Sequence, residues 1–106
     1  VIVAEATVAP PAAPVVALVR GVVDLVEAAT SVEDCVRARD VAAEVLALVE
    51  PDRRPRPGES RHPVVRALGA AVVHLGRAGG PVGVEQGRTL AWMSLVEAAE
   101  QLEAEA

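Results

Sequence analysis

Arg53, Arg54, Arg56 and Arg61 fall within one short stretch, PDRRPRPGESRHP at 51–63, with His62 beside them. A guanidinium is a flat fork of N–H donors that stays charged, so several on one loop can grip a phosphate or a carboxylate-bearing partner. The loop also follows directly on a predicted helix, and its charge suits the unsatisfied carbonyls at that helix's C-terminus. In an up-down-up-down bundle the arginines would share a pole with Glu100, Glu103 and Glu105. Exposed pairs of that kind contribute only about 0–1 kcal/mol each. A free basic patch and an internally neutralised one are both open. No aromatic residue accompanies the arginines, and the chain as a whole carries −5. That balance disfavours nucleic acid as the partner.

The other reactive side chains are few. Cys35 lies in the middle of a predicted apolar stripe, where a cysteine acts as a small hydrophobe; reactive thiols need exposure and a basic neighbourhood. His62 stands just before Pro63, and His74 is placed on the solvent side of a helix. A metal site needs three or four converging ligands, and no such spacing is present, so neither a metal nor a cofactor is expected. No nucleophile elbow, phosphate-binding glycine loop or dinucleotide fingerprint occurs. Without a catalytic set, catalysis is not the expected activity. Trp92 is the one aromatic in the chain. With Leu90 and Met93 it marks a candidate contact surface, because tryptophan is enriched at interface hot spots and the two neighbours fall on the polar side of their helix. At a helix edge a tryptophan is more often the largest plug of a core of small residues, and that reading stands beside the contact surface.

The elements that must hold these side chains follow from composition and period. Alanine and valine supply 21 residues each, and 52% of the chain is apolar. So much apolar surface collapses rather than staying disordered, and 106 residues suffice for one core. The lone cysteine excludes a disulfide framework within one copy. The alanine, glycine, arginine and proline bias fits the codon supply of a high-GC bacterial gene. The longest uncharged stretch, 6–19, is broken by three prolines and is too short to span a membrane. No basic region precedes an apolar block, so no signal peptide is expected and the expected setting is cytoplasmic.

Helical periodicity appears four times, over 14–29, 32–50, 63–78 and 83–104. The first helix turns Val15, Leu18, Val19, Val22, Leu25, Val26 and Ala29 inward, with Pro14 in its first turn. Thr30 and Glu33 read as a capping box for the second helix. Its stripe is Cys35, Ala38, Ala42, Val45, Leu46 and Val49, with Glu33–Arg37 in the favourable i,i+4 order. Val41 and Leu48 fall off that stripe. The third helix points Val65, Leu68, Val72 and Leu75 inward, and Gly69 and Gly76 suggest close approach by a neighbour. The fourth aligns Val84, Ala91, Leu95, Ala98, Ala99 and Leu102, interrupted by Arg88.

The expected fold is all-α: an antiparallel four-helix bundle over 14–106, preceded by an extended arm at 1–13. The expected function is that of a protein-interaction or self-association module without catalytic activity of its own, as a homodimer, a higher homo-oligomer or a partner of another protein. The contact residues would be Leu90, Trp92, Met93 and the loop arginines Arg53, Arg54, Arg56 and Arg61. Two alternatives stand beside it. One is a small-molecule-binding or enzymatic bundle with a pocket near Trp92; the other is a small regulator that contacts an anionic partner through the 51–63 loop.

Overall fold

The computed structural model describes residues 12–50 and 62–105, and these form four helices. They are α1 (Ala12–Ala28), α2 (Val32–Val49), α3 (Pro63–Arg77) and α4 (Val84–Glu105). The all-α bundle is therefore the fold, with every boundary within two residues of the sequence expectation. Helix α1 begins at Ala12, so Ala12 and Ala13 belong to it rather than to an arm. Pro14 still sits in the first turn, where its missing N–H has no intrahelical role. The rest of the arm lies outside the described residues.

The helices form a ring in which α1 packs on α2 and α4, and α3 packs on α2 and α4; the α2–α4 diagonal makes only slight contact. Four cross-contacts fix the directions. Arg88 near the start of α4 reaches carbonyls at the end of α1, while Arg20 in mid-α1 pairs with Glu103 at the end of α4 at 2.7 Å. Gly87 lies against His74 and Ala78 at the end of α3, and Val32 at the start of α2 lies against Gly79 just beyond α3. Each adjacent pair is antiparallel.

The core is built from short side chains. Leu68, Leu75, Leu95 and Leu102 are its largest fully buried members, with valines from α1, α2 and α3 and a run of alanines in α2 and α4 around them; no polar or charged side chain among the described residues is buried. In α1 the inward residues are Val19, Val22, Val23, Val26 and Ala29. Leu18 and Leu25, expected inside, are 44% and 38% exposed. The reason lies in packing. Helix α1 meets α4 more extensively than α2, which turns Val23 inward and rotates the two leucines out. Leu46 and Val72 are only half-buried but pack against the core.

The expected capping box is displaced by one residue. Ser31 is the N-cap of α2, and its Oγ accepts from the Asp34 backbone N–H at 3.2 Å. Asp34, not Glu33, returns the contact, its carboxylate accepting from the Thr30 backbone N–H at 3.0 Å and the Thr30 hydroxyl at 3.2 Å. The Thr30 backbone N–H, helped by the Ser31 and Thr30 hydroxyls, holds the Asp34 carboxyl below its usual range. A depressed carboxyl pKa stabilises the fold above the ordinary carboxylate range, and that contribution fades as pH falls through the lowered value. Glu33 and Arg37 form no ion pair in the structure. At the head of α3, Pro63 occupies the first turn and His62 Nδ1 accepts from the Val64 N–H at 3.1 Å.

Close helix approach comes from a glycine other than the two expected. A Cβ built at Gly69 meets nothing within 4 Å, and one at Gly76 meets only the flexible Arg39 side chain, at 3.5 Å. At Gly87 a Cβ would lie 2.6 Å from the Ala78 Cβ and 3.0 Å from the His74 carbonyl oxygen. Between α3 and α4 the chain turns through Gly79, at φ +82°, with its N–H bonded to the Val82 carbonyl at 2.7 Å. A side chain there would also strike Val32. Gly87→Ala should therefore destabilise the bundle by about 1–3 kcal/mol through overpacking, despite alanine's better helix propensity. Gly69→Ala, with the same propensity gain and open space, should stabilise by about 0.5–1 kcal/mol. Urea denaturation of the two variants checks the contrast; equal shifts of the same sign would remove the steric role of Gly87.

Candidate functional site

The side chains with chemical character gather where α4 begins and α1 ends. The last carbonyls of a helix have no intrahelical donor, and at the end of α1 Arg88 supplies one. Its Nη1 donates to the Ala29 carbonyl at 3.1 Å and to the Glu27 carbonyl at 3.3 Å, and its Nη2 donates to the Glu85 carboxylate at 2.9 Å. The residue that interrupts the apolar stripe of α4 is thus a C-terminal cap for another helix. Hydrogen bonds with a charged partner contribute about 1.5–3 kcal/mol where they are shielded, and this side chain is 27% exposed. Thr89 turns its hydroxyl back to the Glu85 carbonyl at 2.9 Å.

One turn further on, Trp92 stands beside Arg88 and is 40% exposed. It walls an open cleft of about 330 Å³ between α1 and α4, lined by Val26, Glu27, Arg88, Thr89 and Trp92. Trp92 is therefore neither a core plug nor an isolated surface residue. The sequence pattern puts Val26 in the inward stripe of α1 and does not connect it, Glu27 or Thr89 with Trp92, because their shared cleft exists only once α1 and α4 are paired. A tryptophan wall with one carboxylate and one guanidinium can hold a small amphipathic molecule. Among the described residues no three His, Cys, Asp or Glu side chains come close enough together to bind a metal ion.

The three α4 contact candidates do not share one patch. Leu90 and Met93, one turn apart, lie on neighbouring sides of the helix, whereas Trp92 points over the α1–α4 cleft. Met93 is 57% exposed and Leu90 half-buried. Arg53, Arg54, Arg56 and Arg61 lie outside the described residues. Glu103, one of the glutamates expected near them, pairs with Arg20.

Leu18, Leu25 and Leu48 add an apolar surface that the sequence pattern only partly revealed. Leu48 is 62% exposed. Arg20 and Glu27 mark the side of α1 that meets α4, and Leu18 and Leu25 lie on the opposite side, toward α2. Leu48 and the half-buried Val41 border the same seam from α2. No helix of the described residues is long and apolar enough to cross a membrane.

Cys35 is fully buried in α2. Burial, and after it the Asp34 carboxylate, push its thiol pKa up, against an opposing pull from Arg88. The thiolate, which is the nucleophile, is disfavoured at neutral pH. Cys35 should resist alkylation in the folded protein at neutral pH and react at once in denaturant, as mass spectrometry of iodoacetamide-treated samples would show. Cys35→Ser should cost about 1–3 kcal/mol, since it buries a hydroxyl among apolar neighbours. Rapid labelling of the native chain would contradict the buried assignment.

No protein-family model matches the chain, and no significant match is found among curated proteins or solved structures.

Proposed function

We propose that this chain is a self-associating interaction module, with no catalytic activity of its own. The observation that supports the reading is the apolar surface along the α1–α2 seam, where Leu18, Leu25 and Leu48 are 44%, 38% and 62% exposed. A contiguous apolar surface on a small domain marks a contact site, and burying it in a second molecule adds the apolar area that a thin core of alanine and valine does not provide. Light scattering across a concentration series should give a mass of twice 10.9 kDa in the micromolar range, falling to one chain on dilution. A one-chain mass at every concentration would overturn self-association.

The cleft beside Trp92 favours a second reading, binding of a small molecule. Because Trp92 is the one aromatic residue, intrinsic fluorescence reports on that cleft alone. Titration with a panel of small amphipathic amines and acids should shift its emission to the blue if the cleft is a binding site, and calorimetry with the same compounds should show binding abolished in Trp92→Leu while circular dichroism shows the helical content kept. An unchanged spectrum across the panel would count against this reading.

A further inference from the structure

The outer surface of α1 carries a second apolar stripe that the bundle does not use. Pro14, Leu18, Gly21, Leu25 and Ala28 are all exposed and follow one another at spacings of four, three, four and three residues. That is the 3.5-residue repeat by which one helix keeps contact with another along its length. Large and small residues alternate along it, with leucines between proline, glycine and alanine. A Cβ at Gly21 would meet nothing within 4 Å, so the gap between Leu18 and Leu25 is an open notch.

Helix α2 carries a companion stripe on the same face, Arg37, Val41, Glu44 and Leu48, at spacings of four, three and four residues. Arg37 and Glu44 are exposed, and neither is in an ion pair among the described residues. Opposite charges placed symmetrically about an apolar centre are self-complementary, which is the property an isologous contact requires.

We infer that the α1–α2 face receives a second copy of this chain, docked antiparallel about a two-fold axis that lies across the helices near the middle of both. The inference rests on the self-association reading above and names its surface and symmetry. In that arrangement α1 lies on α1 and α2 on α2. Each Leu25 enters the notch at the partner's Gly21, each Leu18 covers the partner's Ala28, and each Arg37 faces the partner's Glu44. A partner of different sequence would need to reproduce the leucine–small alternation and the charge order; a second copy supplies both. Helix α1 is about 25 Å long, and two helices side by side are about 20 Å wide, so each chain offers a footprint of about 500 Å². That lies below the roughly 800 Å² per partner of a standard interface, the size of a weak and reversible contact.

The test is disulfide trapping on the full chain. Val41 lies almost on the axis in α2 and faces the partner's own Val41, so oxidising Val41→Cys should link most of the protein into a covalent dimer. The unmodified chain, with Cys35 buried, and Met93→Cys, on the outer side of α4, should stay unlinked at the same concentration. Arg37→Glu should weaken the dimer at least tenfold by light scattering, and adding Glu44→Arg should restore it, a rescue that a purely structural role would not produce. If the mass is dimeric but Met93→Cys links and Val41→Cys does not, this face is overturned while self-association stands. Absence of rescue by the charge swap overturns the two-fold register. A one-chain mass at every concentration overturns both.

Discussion

Two consecutive residues at the start of α4 hold three of the four helices in place. Gly87 has no side chain, so the first turns of α4 can press directly on Ala78 and the His74 carbonyl at the end of α3. Arg88, about 100° further round the helix, reaches the other way and closes the carbonyl end of α1. One residue works by absence and the next by length, and together they fix the spacing of α4 to both neighbours. Toward the far end of the α1–α4 pair, Arg20 pairs with Glu103. That pair is exposed on both sides, so it orients more than it stabilises. The second helix enters the same assembly through Val32, which lies against Gly79 in the turn that follows α3.

Close approach sets the kind of core the chain can have. Helices this near each other leave room for valine and alanine and for only a few leucines, which is what the interior holds. Valine is a mediocre helix former, so these helices depend on packing more than on propensity. The apolar residues in excess of this narrow interior have to go elsewhere. Leu18 and Leu25 are outside because the extensive α1–α4 contact turns Val23 inward in their place, and Leu48 and Met93 lie off the core-facing stripes of their helices.

The fold was legible in the sequence because helix boundaries are local. Pro14, Pro51, Pro63 and the Gly79-Gly80-Pro81 run punctuate the chain, and four apolar periods fill the intervals between them. The placement of Leu18 and Leu25 was not legible, because α1 is apolar over most of its circumference and period alone cannot say which arc faces the core. The contact with α4 decides that, and it is a tertiary fact. Ser31 and Thr30 are both good caps, and the choice between them turned on whether Glu33 or Asp34 could reach back. The importance of Gly87 did leave a signal: Gly87, Ala91, Ser94 and Ala98 form a line of small residues at spacings of four, three and four, the pattern of a close helix contact. Gly69 and Gly76 drew attention away from it, although a glycine matters only where a neighbour occupies the space of its missing Cβ. The cleft was half visible, through Trp92 and Arg88, while Val26 and Glu27 come to it from a helix more than sixty residues away in sequence.

The described side chains of the interior are apolar apart from the Cys35 thiol, whose pKa is pushed up by burial. The charged side chains lie on the surface, and there they divide by seam. The α1–α4 seam carries the polar and aromatic set, Glu27, Arg88 and Trp92, in an open cleft. The α1–α2 seam carries exposed leucines, the open space at Gly21 and the exposed Arg37 and Glu44. Both seams border α1, but from opposite sides, because the rotation that gives α4 the larger share of α1 also determines what α1 leaves uncovered. The same packing that opens the cleft therefore exposes the leucines, and a contact made on the leucine side leaves the Trp92 side free.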